Sequence, residues 1–215
     1  MDGSSKPLAD QAFDALLAAL RSGRLAAGAF FSMPELSRAL GYPIASIREA
    51  TKLAAARGLL FILPKRGITV MDAGPENTRI CMDMRAALER EGARRIILGG
   101  AAMPTGDLRR SHEELLRQAL DRDPEATGKR AIDIDLSLHN ALAAGLDNLY
   151  LQQAYAANRD RIAVIQQSRP FLQDRIVSAM QEHLEIIAAM EAGDLPRTIE
   201  SIDVHLMQTL RWWGV

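Results

Sequence analysis

The sequence has little of several features that would mark a specialised class of protein. Its 215 residues include a single cysteine, Cys81, which excludes a disulfide within the chain and is typical of a reducing cytosol. Aromatic residues make up only 5%, whereas alanine and leucine are plentiful, and this balance favours helices over sheets. Charge interrupts every long apolar stretch, and residues 1–11 lack the apolar segment of a signal peptide. We therefore expect a cytoplasmic protein with no membrane span.

The chain also lacks a large net charge, because 26 basic residues oppose 27 acidic ones and the formal charge is −1. The protein is therefore no polycation, and any contact with nucleic acid must come from a local patch. The length allows one large domain or two modest domains with real cores. Gly74 and Pro75 interrupt the chain where a helix can begin, so we predict a boundary that separates residues 1–73 from residues 74–215.

The N-terminal part has the spacing of a helix-turn-helix followed by a wing. Helices are predicted over residues 8–22, 33–40 and 45–57, and Ser32 with Glu35 forms a capping-box pattern before the second. Two apolar segments, 59–63 and 68–70, are joined by turn residues and predict a β-hairpin. Helix, short turn, helix and hairpin together predict a winged helix-turn-helix domain.

Basic residues are concentrated in this N-terminal part. Between residues 38 and 66 six basic residues stand against one acid, Glu49, which is a local charge of +5. A basic helix and a basic wing tip form the electrostatic footprint of a surface that binds duplex DNA. The alternative is a solvated surface that happens to be positive. The predicted DNA contacts are Arg38, Arg48, Lys52, Lys65, Arg66 and Gly67.

The rest of the chain is predicted to be helical throughout. Apolar residues recur at helical spacing, and Gly, Pro, Asn and Asp punctuate the pattern. The predicted helices cover residues 75–101, 106–121, 129–146, 148–168, 170–191 and 195–213. The fold class is therefore mainly α, with a winged helix-turn-helix followed by an all-helical bundle.

Three of the four histidines fall on apolar stripes of these helices. His139 lies one turn after Asp135, so both side chains face the same way. His183 continues a stripe with Ile176 and Met180, and His205 lies on a similar stripe of the last helix. One carboxylate and three imidazoles facing one core suit a divalent transition metal such as Zn, Ni or Mn. The alternative for each histidine is a hydrogen-bonded core residue.

The fourth histidine, His112, lies in a charged segment, residues 109–114. We expect that segment to be a solvated face, and we leave His112 out of the predicted site.

The N-terminal segments 20–28, 35–41, 47–50 and 65–70, with Leu53, Gly58 and Leu59, resemble the winged-helix domain of one family, the GntR bacterial transcription regulators of the FadR subfamily. Segment 85–89 resembles the first-helix pattern of its all-helical ligand-binding domain, called FCD. The metal-site pattern of that domain is matched by Asp135, His139, Asn148, His183, Gly193, Asp194 and His205. One departure is Ile44, which stands where the family usually has a recognition-helix arginine.

This resemblance implies a homodimeric regulator that binds a two-fold related operator in double-stranded DNA. It also implies a metal held by Asp135, His139, His183 and His205 and a small organic acid as effector. Arg85 can clamp such an anion or can pair with Glu89 one turn on. Asn148 can add a hydrogen bond to the effector or can cap the next helix.

Two alternatives to a metal-containing, effector-responsive regulator stay open in the sequence. A metal-dependent enzyme would need a general base. Glu182 and Glu185 adjoin His183, but helical geometry is expected to turn both away from it, and a winged helix has no role in such an enzyme. We therefore expect no enzymatic activity. A purely structural metal that only rigidifies the helical bundle is the other alternative.

Overall fold

A computed structural model of the protein describes residues 6–100, 103–123, 128–169 and 171–215. Within these ranges the chain forms nine α-helices and three short strands, so the predicted fold class is confirmed. No helix among the described residues is both long and apolar enough to cross a membrane.

The elements follow the predicted order along the chain. The N-terminal elements are α1 (Leu8–Arg21), β1 (Phe30–Phe31), α2 (Met33–Leu40), α3 (Ile44–Ala56), β2 (Leu60–Leu63) and β3 (Gly67–Val70). The helices that follow are α4 (Pro75–Gly99), α5 (Thr105–Leu120), α6 (Lys129–Ala143), α7 (Leu149–Gln166), α8 (Gln173–Glu191) and α9 (Leu195–Trp212).

The described residues form two compact units. The first contains residues 6–78 and 156–169, and the second contains residues 79–155 and 171–215. Helix α7 contributes its first seven residues to the second unit and the remainder to the first.

The first unit is a three-helix core with a small sheet. Leu16, Leu20, Leu36 and Ile47 are almost fully buried where α1, α2 and α3 pack. The predicted capping box is confirmed, because Glu35 N–H donates to Ser32 Oγ and Ser32 N–H donates to the Glu35 carboxylate. The second helix therefore begins where its local sequence predicts.

The wing contains one strand that the sequence did not predict. Strand β1 pairs antiparallel with β3, which also pairs with β2, so the strand order is β1-β3-β2. A two-residue strand is too short to show the alternation that predicts a strand. Gly67 begins β3 with φ near +149°, and a Cβ there would lie 2.3 Å from the Phe31 carbonyl oxygen. Glycine therefore permits the close approach of β1 and β3.

A buried carboxylate on α7, Asp160, pairs with two half-exposed arginines of the first unit. Asp160 is 2% exposed and accepts a hydrogen bond of 3.0 Å from Arg21 Nε. Arg57 Nη1 lies 3.6 Å from the same carboxylate, and its guanidinium stacks 4.6 Å from the Phe13 ring centre. Arg57 is half-exposed but paired within its own unit, so the local charge of +5 overstates the unpaired basic charge near α3.

The second unit has a core built from α4, α5, α6, α8 and α9. Its central apolar cluster includes Leu108, Leu138, Leu142 and Ile187. Gly92 in α4 and Gly145 after α6 are in close contact, because a Cβ at Gly145 would lie 2.2 Å from the Gly92 carbonyl oxygen. This contact holds α4 against the end of α6, which are two of the helices that supply the candidate site.

Candidate metal centre and nucleic-acid interface

Three histidines from three helices converge in the second unit. His139 of α6, His183 of α8 and His205 of α9 are buried, and each offers a ring nitrogen within 4.8 Å of the others. The Nε2 atoms of His183 and His205 are 3.4 Å apart. The sequence placed these three imidazoles on inward-facing stripes, and the structure brings them together.

Asp135 lies beside this cluster on α6. Its Oδ1 is 3.7 Å from His183 Nε2, and its Oδ2 is 4.0 Å from His139 Nε2. Asp135 is itself buried, so its carboxylate faces the histidines inside the unit. Asp135 thus lies beside two of the three imidazoles that the sequence grouped with it.

Two of the imidazoles are held from outside by carboxylates. His139 Nδ1 is 3.0 Å from Glu89 Oε2, and His205 Nδ1 is 2.6 Å from Glu182 Oε2. Arg85 Nη2 lies 3.1 Å from Nε2 of both rings, and a guanidinium can only donate, so each neutral ring carries its proton on Nδ1 and donates it to the carboxylate. The Nε2 lone pairs of both rings then point into the cluster.

The third imidazole is held by a fourth histidine. His112 Nδ1 lies 2.7 Å from the Leu108 carbonyl oxygen, and this contact requires His112 to donate from Nδ1. His112 Nε2 then accepts from His183 Nδ1, which is 3.2 Å away. These two hydrogen bonds leave the lone pair of His183 at Nε2, as in His139 and His205.

Burial keeps these rings neutral. Loss of solvent lowers the pKa of His139 to about 3 and that of His205 to about 3, and it takes the pKa of His183 well below its ordinary value. Burial also raises the pKa of Glu89 to about 7, although the nearby Arg85 opposes that rise. Neutral imidazole is the form that binds metal, because protonation removes the lone pair.

The donor set fits a divalent transition metal. Three neutral imidazoles present Nε2 towards one point, a carboxylate lies beside them, and each Nδ1 has an outer partner. Metal-binding histidines characteristically donate their other N–H to a carboxylate or a similar group, which fixes the tautomer and the ring orientation. Histidines that only pack in a core have no need for three Nε2 lone pairs directed at one point.

Two expectations about this region were wrong. His112 is fully buried rather than solvated, because it shares a helical stripe with Leu108, Leu115 and Ala119. That stripe was present in the sequence but was hidden by the charged neighbours. Glu182 was expected to turn away from His183 and to have no part in the site, yet its carboxylate accepts a hydrogen bond from the His205 ring.

The charge state of Glu182 reflects its two partners. Burial alone would raise the pKa of Glu182, but hydrogen bonds from His205 and Arg175 outweigh that effect and the pKa is lowered. Arg175 Nη1 lies 2.7 Å from Glu182 Oε1. Glu182 is therefore held as an acceptor for the His205 N–H. Glu185, by contrast, is exposed and pairs with Arg197.

Arg85 pairs with Glu89, which is one of the two roles that the sequence left open, and it also reaches the histidine cluster. It is buried, and its Nε lies 3.5 Å from Glu89 Oε1 one helical turn on. Its Nη2 also lies 3.1 Å from Nε2 of His139 and 3.1 Å from Nε2 of His205. The guanidinium is therefore among the candidate ligand atoms.

Asn148 has the second of its two predicted roles. Its Oδ1 accepts from the backbone N–H groups of Tyr150, at 2.9 Å, and Leu151, at 3.2 Å. The side chain is exposed and caps the start of α7. This exposed capping position does not support the predicted contact of Asn148 with the effector.

The candidate DNA contacts lie in the first unit. On α3 the side chains of Ile44, Arg48 and Lys52 are exposed and spaced four residues apart, so they form one strip along the helix. Lys52 also pairs with Glu49 at 2.8 Å on the surface. Arg38 is exposed on α2. Such a strip on the second helix of a helix-turn-helix is the part that enters the major groove.

The wing tip is also basic. Lys65 and Arg66 are exposed in the turn between β2 and β3, and Lys65 adopts φ near +61°. Gly67 was predicted to contact DNA, but it is buried against β1. Its role is therefore to shape the wing.

Two family models match successive parts of the chain. Residues 8–70 match the model of the GntR family of bacterial regulatory proteins, and residues 81–208 match that of the FCD domain. The HTH-type transcriptional regulator BphR of Paraburkholderia xenovorans is 24% identical over 212 residues, which cover 95% of this chain and 84% of that protein.

Solved structures show the same fold. Escherichia coli McbR/YncC has a TM-score of 0.69 and 17% identity, with 96% of this chain and 97% of that one covered. A transcriptional regulator GntR from Rhodococcus sp. RHA1 has a TM-score of 0.69 and 18% identity, with 96% and 98% covered. The family matches identify a transcription regulator rather than an enzyme. The chain therefore belongs to the GntR family of bacterial regulatory proteins, with a winged helix-turn-helix domain followed by an FCD domain of the kind consistent with the FadR subfamily.

Proposed function

We propose that this regulator carries a divalent transition metal in its FCD domain and responds to a small organic acid that binds beside the metal. The protein acts in the cytoplasm as a homodimer on a two-fold related operator. The proposed DNA-binding domain comprises residues 1–73, and the proposed metal- and effector-binding domain comprises residues 74–215. The observation that carries the proposal is the convergence of three neutral imidazoles, each held at Nδ1 by an outer partner.

The proposed metal ligands are His139, His183 and His205 through Nε2, and Asp135 through its carboxylate. Glu89, Glu182 and His112 hold the rings so that the lone pairs stay directed into the site. When bound, a divalent ion supplies a Lewis-acidic centre with positions open to an anionic ligand. Zn, Ni and Mn all accept such a mixed nitrogen and oxygen donor set.

The proposed effector is a small carboxylate. Arg85 supports this assignment because it is a buried cation whose guanidinium already lies within hydrogen-bond distance of the histidine cluster. Guanidinium groups bind carboxylates through two parallel hydrogen bonds, which fixes the orientation of the anion. An uncharged effector could not form such an ion pair with the Arg85 guanidinium.

The proposed DNA reading uses α3 and the wing. Arg48 contacts a base edge in the major groove, Lys52 and Arg38 contact the backbone, and Lys65 and Arg66 contact phosphates or the minor groove. Ile44 offers only an apolar contact, for example to a thymine methyl group, where a guanine-reading arginine is usual in the family.

A panel of carboxylates should raise the melting temperature of the metal-loaded protein. A ligand that binds only the folded state stabilises it by roughly 2.7 kcal/mol at a hundred times its dissociation constant. Thermal unfolding with mono-, di- and tricarboxylates, with chloride as the ionic-strength control, measures this effect. If no carboxylate shifts the midpoint of protein whose metal content is verified, the metal is purely structural.

We expect light scattering to report a particle of twice the 23.6 kDa chain mass. A single winged helix reads too few base pairs for genomic specificity, and a two-fold dimer with paired half-sites solves that problem. Protein at working concentrations should also protect two half-sites about one helical turn, roughly 10 base pairs, or a multiple of it apart. A monomer bound to a single half-site would refute the dimer.

A further inference from the structure

The guanidinium of Arg85 lies among the ligand nitrogens of the histidine cluster. Its Nη2 atom is 3.1 Å from His139 Nε2 and 3.1 Å from His205 Nε2. Both distances are normal for hydrogen bonds, and one Nη2 nitrogen carries two hydrogens. A single atom of Arg85 therefore contacts two of the three converging imidazoles.

The direction of these hydrogen bonds follows from their surroundings. Both imidazoles use Nδ1 as the donor, His139 to Glu89 and His205 to Glu182. Their Nε2 atoms are therefore acceptors, and a guanidinium can only donate. These Nε2 lone pairs are also the ones that the two rings offer to a metal. A lone pair cannot serve both partners, so Arg85 Nη2 and a metal ion exclude each other at these two nitrogens.

We propose that Arg85 couples metal binding to anion binding, because its guanidinium competes for the lone pairs of His139 and His205 until an anion accepts its hydrogen bonds. This inference deepens the proposed function and rests on it. Arg85 acts here as a positioning residue, since its effect on the metal passes through the two histidines.

Burial explains why release of Arg85 needs an anion. Arg85 is only 7% exposed, so water cannot readily replace a lost hydrogen-bond partner. If Nη2 left His139 and His205 without a new acceptor, the buried donor would be unsatisfied at a high free-energy cost. Glu89 already has several partners, because its Oε2 accepts from His139 and its Oε1 accepts from Tyr155 and lies 3.5 Å from Arg85 Nε. A carboxylate supplies two acceptor oxygens in the planar geometry that a guanidinium matches. Small carboxylates are therefore the class of anion that fits.

Linkage then gives a reciprocal effect. If a carboxylate relieves the competition, it raises the affinity for metal, and the metal raises the affinity for the carboxylate by the same factor. Removal of the guanidinium should increase metal affinity in the absence of the anion. It should also abolish most of the effect of the anion on that affinity.

Cobalt titration of the full-length, metal-stripped protein tests the coupling. Co²⁺ is added against a competing chelator and followed by its visible absorption, once in chloride and once in excess acetate at equal ionic strength. Wild type is compared with Arg85→Met and with the control Arg90→Met. Arg90 lies on the same helix but pairs with Asp203 at the surface. Circular dichroism and thermal unfolding verify that each variant is folded.

In chloride, we expect Arg85→Met to bind Co²⁺ about fivefold or more tightly than wild type, within the usual range of coupling between sites. Arg90→Met should match wild type. Acetate should tighten Co²⁺ binding to wild type and should have little effect on Arg85→Met. Equal affinities of wild type and Arg85→Met in chloride, or an equal acetate effect in both, would overturn the coupling role.

A second variant separates competition for lone pairs from simple repulsion between charges. Arg85→Lys keeps the positive charge but has a shorter side chain and lacks the planar fork. Competition predicts tighter Co²⁺ binding than in wild type, whereas an affinity equal to that of wild type assigns the effect to charge and overturns the proposal. Failure of the underlying metal site is distinguishable, because wild type and every variant would then lack bound Co²⁺.

Discussion

His183→Ala should reduce the metal content of the purified protein from about one ion per chain to a small fraction of that value. His183 is fully buried at the centre of the cluster, with Nε2 near both Asp135 and His205. Its removal deletes one of three imidazole ligands, and the loss should exceed the roughly 10- to 100-fold cost of losing an outer-shell partner. Elemental analysis after extensive dialysis measures the content, and unfolding curves test whether the variant stays folded.

His112→Phe is the matched comparison for this experiment. It replaces a fully buried ring by another of similar size and removes the acceptor for His183 Nδ1, together with the Nδ1–H that His112 donates to the Leu108 carbonyl. Metal affinity should fall by about 10- to 100-fold, since His183 then loses the partner that fixes its tautomer. Metal content in His183→Ala equal to that of wild type would show that the ion, if present, is bound elsewhere.

Arg48→Ala should weaken operator binding by about 1–3 kcal/mol and relax the sequence preference at one base pair per half-site. Arg48 is exposed one turn into α3, between Ile44 and Lys52 on the same strip. Residues near the start of a recognition helix reach base edges, and arginine binds guanine through two hydrogen bonds. Binding to a library of operator variants measures affinity and preference together.

Lys65→Ala separates contacts to phosphates from contacts to bases. Lys65 is exposed at the wing tip, where a long cation reaches the DNA backbone. Its removal should weaken binding to all sequences alike and lower the salt slope by about one unit. Arg110→Ala is the charge control, because Arg110 lies on α5 of the FCD domain and pairs with Asp107. If Arg48→Ala retained both affinity and sequence preference, α3 would not be the reading element.

The sequence by itself predicted the helices, the hairpin of the wing and the inward stripes. These features depend on interactions between residues a few positions apart, such as the reciprocal hydrogen bonds of Ser32 and Glu35. The stripes that carry His139, His183 and His205 follow from the 3.6-residue period of a helix, which needs no knowledge of neighbouring helices. The family match over both domains agrees with this reading.

Only the tertiary structure decided which groups surround those stripes. Glu182 reaches His205 across 23 residues, and Arg85 reaches the same ring across 120. Arg57 was counted with the basic surface, but it lies against Asp160, more than a hundred residues away. Strand β1 forms because β3 offers it a partner. Periodicity reports which way a side chain faces, whereas its partners depend on how helices and strands pack, and that packing sums many weak contacts over the whole unit.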